Sequence, residues 1–251
     1  MTFQNKVVVV TGASMGIGAA TALLFAKEGA DVVLVARTQA KLHDVARQIE
    51  ALGRKALVIP ADLSKEAEVA TVIPKTISHF GKLDILVNNA GIDVEGSLLN
   101  GKALQAYDRV MQVNVRAVIQ LTMAAAPHLV KTKGNVVNVS SVVGTLVCKS
   151  PTMVPYFVSK AALNHFTRCA ALELAALGVR VNGVVPGPVD NDFPANNGYL
   201  NLDRQTRMAG TAQGFMAQNE ELGELILFLA SDKAKSVTGS NYVMDNGILL
   251  K

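Results

Sequence analysis

Tyr156 and Lys160 stand four residues apart in the stretch Tyr156-Phe157-Val158-Ser159-Lys160. On a helix that offset puts a phenol and an ammonium on one face, within reach of each other. The other tyrosines, Tyr107, Tyr199 and Tyr242, have Met111, Asp203 and Asn246 at the same offset, so the pair occurs once. A phenol titrates near pH 10 in water. A neighbouring positive charge favours its anion, which predicts a Tyr156 able to give and take a proton at neutral pH. Ser140 and Ser141, shortly before it, carry hydroxyls suited to holding a reacting oxygen.

The other chemical feature is Val7-Val8-Val9-Val10-Thr11-Gly12-Ala13-Ser14-Met15-Gly16-Ile17-Gly18. Four successive β-branched residues read as a strand buried on both faces. The glycines turn the chain, and Ala19–Lys27 reads as a helix. A strand that turns through glycines into a helix N-terminus aims free backbone N–H groups and the positive end of a helix dipole at one spot. Missing Cβ atoms there let a pyrophosphate come close. The expectation is a dinucleotide held around Gly12, Ser14, Gly16, Ile17 and Gly18.

These groups need a scaffold. Strands are expected at Asp31–Ala36, Ala56–Ile59, Leu83–Val87, Asn135–Ser140, Gly178–Val185 and Asn241–Met244. Helices fall between them, at Leu42–Leu52, Val69–Phe80 (bent at Pro74), Lys102–Val110, Val113–Val130, Pro155–Ala176 and Leu222–Leu229. Asp190–Met216 shows no clear period and reads as loop. Alternating strand and helix predicts an α/β fold, a Rossmann-like doubly wound parallel sheet of about seven strands with helices on both faces. No linker or repeat divides residues 1–251, so one domain is expected.

Net charge is +4, without a Lys/Arg run and with few aromatic residues for stacking, which argues against a nucleic-acid partner. The four histidines are dispersed without metal-ligand spacing, so no metal is expected. No stretch reaches the ~20 apolar residues of a membrane span. The N-terminus leads straight into the first strand, leaving no room for a signal peptide. Cys148 and Cys169 then read as reduced thiols, and the expected location is cytoplasmic.

Short patterns follow one order along these elements: Thr11-Gly12-x-x-x-Gly16-x-Gly18, Asp62-Leu63, Asn88-Asn89-Ala90-Gly91, Asn114, Ser140-Ser141, Tyr156-x-x-x-Lys160 and Pro186-Gly187. Over nearly the whole chain they resemble the short-chain dehydrogenase/reductase family, in its small single-domain branch. Each lies at the C-terminal end of a strand or on the next helix, where ligands of open α/β sheets collect. The resemblance implies Tyr156 as general acid in carbonyl reduction and general base in alcohol oxidation. It implies that Ser141 holds the reacting oxygen, and that Asn114 kinks its helix and holds a water linking Lys160 to solvent. Asp62 would bond the adenine with Leu63 beside it, and Asn89, Ala90 and Gly91 would line the ribose and nicotinamide. Lys160 would reach the nicotinamide ribose. Pro186, Gly187 and Val189 would border the ring, and the resemblance implies transfer of the pro-S hydride. Asn191 stands where relatives usually carry threonine. Met244-Asp245-Asn246-Gly247 departs from the usual Val-Asp-Gly-Gly of a tail that packs at a subunit contact. The long helix, with Ala161, Ala162, Phe166 and Ala170, pairs across such a contact in the family, which implies a homotetramer.

The end of strand two bears on the coenzyme. NAD-binding relatives place an acid there for the ribose 2′-hydroxyl; here Ala36 is followed by Arg37, whose guanidinium suits a 2′-phosphate. NADP is therefore expected over NAD, with a hydroxyl contact from Ser14, although Met15 stands where some NADP-users carry a second basic residue. The expected partner is a small-molecule carbonyl or alcohol. Leu146, Val147, Met153, Val154, Phe193, Tyr199, Met208, Phe215 and Met216 suit a hydrophobic one, such as a steroid, terpenoid or 3-oxoacyl compound. Arg204 and Arg207 either meet an acidic tail or are solvated. Two alternatives stay open: an NAD-dependent alcohol dehydrogenase, and a non-catalytic nucleotide-binding sensor or scaffold.

Overall fold

Val7–Thr11 forms the first strand, β1, and every residue in it is buried. Its side chains alternate between two cores: Val8 and Val10 join one apolar cluster, Val7 and Val9 the other. A strand covered on both faces needs apolar residues at every position, which is why four valines stand in a row. The computed structural model describes residues 1–147, 152–197 and 204–251. Cys148 and Tyr199 lie outside the described residues.

The remaining strands are β2 (Asp31–Ala36), β3 (Ala56–Pro60), β4 (Ile85–Asn88), β5 (Asn135–Val139), β6 (Arg180–Pro186) and β7 (Asn241–Met244). They form one seven-stranded sheet in the order β3-β2-β1-β4-β5-β6-β7. All neighbouring pairs run parallel. On one face pack α1 (Gly16–Lys27), α2 (Gln39–Ala51) and α10 (Asn219–Ala230), through Phe25, Leu42, Ile49, Leu222 and Ile226. On the other pack α4 (Val72–Phe80), α6 (Ala117–Thr132) and α7 (Val154–Ala175), through Ile73, Leu121, Leu129 and Leu174. Each such side chain taken fully out of water contributes about 1.5–3 kcal/mol. The doubly wound α/β sheet expected from the sequence is the observed one. Strand order reverses between β1 and β4, and a crevice opens there at the strand C-termini.

Three local expectations are corrected. The helix expected over Val69–Phe80 is two, α3 (Glu66–Val69) and α4, and the break precedes Pro74. Pro74 sits in the first turn of α4, where its missing N–H leaves no bond unmade. Asp190–Met216 is not wholly loop: it holds α8 (Phe193–Asn196) and α9 (Arg204–Ala209), each too short to show a period. Between α5 (Ala103–Met111) and α6 the chain does not break but runs on through a π-helical turn, Gln112–Arg116.

Candidate active site

The glycine turn closes β1 onto α1. Gly12 and Gly16 have φ of +67° and +57°, in the left-handed region that favours glycine. Gly18 is required for a different reason, since a Cβ there would lie 2.3 Å from Gly12 O and 2.5 Å from Asn89 Nδ2. The Thr11 hydroxyl accepts the N–H groups of Asn89 and Ala90 at 3.0 and 3.1 Å, and Asn89 Nδ2 donates to Thr11 O at 2.8 Å. These bonds tie the ends of β1 and β4 together beneath the crevice. The N-cap of α1 is Met15, which offers no side-chain hydrogen bond, and the first turn holds no acid. The helix thus presents uncapped N–H groups, and a pyrophosphate fits that cradle.

Ala36 closes β2, and Arg37, Thr38 and Lys41 line the cleft beyond it. Lys41 was not anticipated. The signal was available: it lies four residues after Arg37, at the start of α2, so both cations flank one corner. Across from them, Asp62 Oδ1 accepts from Ser64 N–H at 3.0 Å and Ser64 Oγ at 2.8 Å. Partial burial pushes the Asp62 carboxyl up. The Ser64 bonds, with Arg37 and Lys65 nearby, outweigh that and hold it below its ordinary range. Leu63 is buried beside it.

Tyr156 enters in the first turns of α7, after Pro155, and is buried along with Lys160. Lys160 Nζ lies 5.6 Å from the Tyr156 ring centroid and donates to Val139 O at 3.0 Å. The two serines face different ways. Ser140 Oγ donates to Lys160 O at 3.2 Å, a bond to the helix backbone. Ser141 Oγ lies by the Tyr156 phenol, donates to Pro186 O at 3.5 Å and accepts Val143 N–H at 3.4 Å. Asn114 sits inside the π-helical turn. Its Oδ1 accepts Ile92 N–H at 2.9 Å, while Nδ2 donates to Ile92 O at 2.9 Å and to Ser159 Oγ at 3.0 Å. One amide therefore clamps the loop after β4 to the helix carrying the Tyr–Lys pair.

Burial first, and the Asp93 carboxylate second, push the Tyr156 phenol well above its ordinary value; the Ser141 hydroxyl pulls back only partly. Burial pulls the Lys160 ammonium down to about 8, against the opposing pull of Asp93. This corrects the expectation of a phenol lowered by Lys160. The ammonium lies by the ring, and without a further positive charge desolvation dominates. Asp93, itself buried, was not anticipated. An acid in Gly91-Ile92-Asp93-Val94 reads as an ordinary loop residue.

The chain leaving β6 forms the opposite wall. A Cβ on Gly187 would lie 2.7 Å from Asp245 Cα, so the strand exit packs directly on the C-terminal tail. Asn191 Nδ2 donates to Asn219 Oδ1 at 3.1 Å, and its Oδ1 accepts Phe193 N–H at 3.1 Å. Its amide thus organises its own loop. Asn197 Oδ1 accepts Asp93 N–H at 2.8 Å and Nδ2 donates to Phe193 O at 2.7 Å. That latch brings the Phe193 ring to 5.9 Å from the Tyr156 ring.

All of this borders one cleft of about 1460 Å³, which Gly12, Ser14, Gly16 and Ile17 floor at one end. Asn89, Ala90, Gly91, Ser141, Tyr156 and Lys160 line its middle, and Pro186, Gly187, Val189 and Asn191 its far wall. Gly18 and Asn114 stand behind the wall. Of the apolar residues expected to line a substrate site, Leu146, Met153 and Phe193 do so, joined by Ile92, Val142 and Val143. Val147 is 88% exposed and Met216 3%, and neither borders the cleft. Arg207 lines it; Arg204 does not.

A family model described as short chain dehydrogenase matches residues 6–198. The 3-oxoacyl-(acyl-carrier-protein) reductase of Thermotoga maritima is 35% identical over 251 residues, covering 100% of both chains. The cis-4-hydroxycyclohexanecarboxylate dehydrogenase of Sinomonas cyclohexanicum is 38% identical, over 98% of this chain and 97% of its own. Among solved structures, a short-chain dehydrogenase of Burkholderia cenocepacia J2315 in complex with NADP superposes with a TM-score of 0.90 at 36% identity. That match covers 99% of this chain and 100% of the other.

Proposed function

From the premise that this chain belongs to the short-chain dehydrogenase/reductase family, we propose that it is an NADP(H)-dependent oxidoreductase interconverting a ketone or aldehyde and its alcohol. The observation that carries this reading is the Tyr156 phenol with Lys160 Nζ 5.6 Å from its ring and Ser141 beside it, lining a cleft that also holds an uncapped helix N-terminus. Bound coenzyme would supply the hydride. Gly12 and Gly16 let the backbone approach its pyrophosphate, Gly18 lets α1 close on the turn, and Ser14 and Ile17 flank it. Arg37, helped by Lys41, would meet the 2′-phosphate. Asp62, Leu63, Asn89, Ala90 and Gly91 would border adenine and ribose, and Pro186, Gly187, Val189 and Asn191 the nicotinamide side.

In this mechanism the Ser141 and Tyr156 hydroxyls hold the substrate oxygen. Tyr156, kept protonated by its surroundings, gives its proton to that oxygen during reduction and recovers one through Lys160. The Asn114 side chain is engaged by Ile92 and Ser159, so a relay water would rest on its main-chain carbonyl in the π-helical turn. The lining of Ile92, Val142, Val143, Leu146, Met153 and Phe193 favours a largely apolar substrate. The names of the Thermotoga and Sinomonas relatives, a 3-oxoacyl reductase and a dehydrogenase of a cyclic secondary alcohol, support that reading.

No helix among the described residues is long and apolar enough to cross a membrane, and a cytoplasmic location fits that. Leu104, Met123 and Leu172, on α5, α6 and α7, are 78%, 69% and 82% exposed. Apolar groups of that size on neighbouring helices favour homotetramer contacts.

The test is a panel of ketones and alcohols followed by absorbance of the reduced nicotinamide. Turnover with NADPH is expected, with Tyr156→Phe lowering kcat about 10²–10⁴-fold and leaving coenzyme binding in place. Arg37→Asp is expected to weaken NADPH use and improve NADH use. Retained turnover in Tyr156→Phe refutes the assignment of the acid.

A further inference from the structure

Resting on that redox reading, we propose that Arg207 recognises an anionic group on the substrate, so that the enzyme acts on carbonyl or alcohol compounds carrying a carboxylate or phosphate. The two arginines of α9 are used differently. Arg204 points to the surface and clasps the Asp190 carboxylate, with Nη2 at 2.8 Å and Nε at 3.2 Å. Arg207 lines the cleft shared with Tyr156 and Lys160. Its Nη2 donates to Val189 O at 3.2 Å, and its buried Nε has no hydrogen-bond partner among the described residues. No carboxylate among the described residues forms an ion pair with it. A guanidinium that lines the cleft with no carboxylate bound to it can give charge-assisted, paired bonds to an anion that a ligand brings.

The guanidinium is also held in place before any ligand arrives. Asp190 secures the start of α9 through Arg204, and Lys251 Nζ bonds the carbonyls of Ala209 and Thr211 at 3.2 and 2.9 Å. An arginine fixed at both ends of its helix loses little freedom on binding a planar anion. Ser141 Oγ lies against Pro186 O, and Arg207 against Val189 O. Those two carbonyls are three residues apart, a span of at most about 10 Å. The oxygen-holding hydroxyl and the guanidinium thus stand along the same wall of the cleft.

Carboxylate and phosphate offer the same chemistry to a guanidinium, and paired substrates separate them. The first pair is an apolar keto acid and its methyl ester; the second is a 3-oxoacyl phosphopantetheine thioester and its phosphate-free N-acetylcysteamine analogue. In one pair the wild type is expected to prefer the anion about ten- to a hundredfold in kcat/KM. Arg207→Ala should abolish that preference by raising KM for the anion, Arg207→Lys should retain part of it, and Lys131→Ala, which removes an exposed cation at the far end of α6, should leave it as it is. No preference in either pair overturns the proposal. So does an equal loss in Lys131→Ala, which would mark a general charge effect. A KM for NADPH raised alike with both members of a pair also overturns it, and assigns Arg207 to the coenzyme. Wild type inactive on all four compounds refutes the redox reading itself.

Discussion

The coenzyme end of the cleft and its substrate wall are built by different physics. At the coenzyme end, β1 and β2 are buried almost throughout, and at Gly18 the turn packs on the Gly12 backbone so closely that no methyl group fits. The segment after Val189 buries little: α8 and α9 contain no buried residue. It is held instead by side-chain polar bonds, Asn191 to Asn219, Asn197 to Asp93, Arg204 to Asp190 and Lys251 to the end of α9. A pyrophosphate is read by backbone N–H groups, and only a fixed backbone reads it well. A substrate wall pinned by individual amides and charges can be changed one side chain at a time without disturbing the sheet.

Gly18→Ala tests the rigid half most severely. Its Cβ would meet Gly12 O at 2.3 Å and Gly12 C at 2.8 Å, both backbone, besides the Asn89 amide at 2.5 Å, so moving that side chain alone would not make room. Overpacking of this kind costs about 1–3 kcal/mol. Coenzyme affinity by fluorescence titration should fall about ten- to a hundredfold, and Tm should drop by several degrees. Unchanged affinity would mean the turn is as adaptable as the substrate wall, and the contrast would disappear.

The same contrast governs what was legible in the sequence. The valine run, the glycines and the Tyr–Lys offset each impose a local geometry, so the sheet, the turn and the pair could be read in advance. The π-helical turn at Asn114 could not be read as such, because its residues have helical spacing on either side and only the tertiary clamp on Ile92 shows what it does. Asp93 escaped because its importance comes from a fold that buries it near Tyr156 and Lys160. Arg204 and Arg207 are alike in sequence; Asp190 and Val189, brought close by the strand exit, separate them. Residues that act through their own backbone are visible early, and residues that act through a distant neighbour are not.

A second effect on the buried half, visible only as a pH dependence, comes from Lys160. Its ammonium titrates at about 8 in the folded protein against 10.5 for an ordinary lysine. Between those values the unfolded chain holds more protons, so coenzyme-free protein gains stability as pH rises from about 8 towards 10. Above about 10 the direction reverses, because an unfolded tyrosine ionises there while buried Tyr156 keeps its proton. The gain should be about 2–3 kcal/mol, read as the difference in pH dependence of Tm between wild type and Lys160→Met. Parallel curves would show that Lys160 is solvated in solution, and with it this part of the cleft.

The smallest effect belongs to the latch. Asn197→Ala removes bonds to Asp93 N–H and Phe193 O, worth about 0.5–1.5 kcal/mol each. Because α8 buries nothing, that loss should fall on closure of the wall and not on the folding of the sheet. KM for the carbonyl substrate should rise severalfold, with Tm changed by no more than a degree or two and NADPH affinity kept. Asn197→Asp keeps the acceptor for Asp93 N–H but loses the donor to Phe193 and places a second carboxylate close to Asp93, so its KM should rise further. A drop in Tm as large as that of Gly18→Ala would make the latch part of the folded core. The wall would then belong to the rigid half, and substrate choice could not be altered there without cost to the fold.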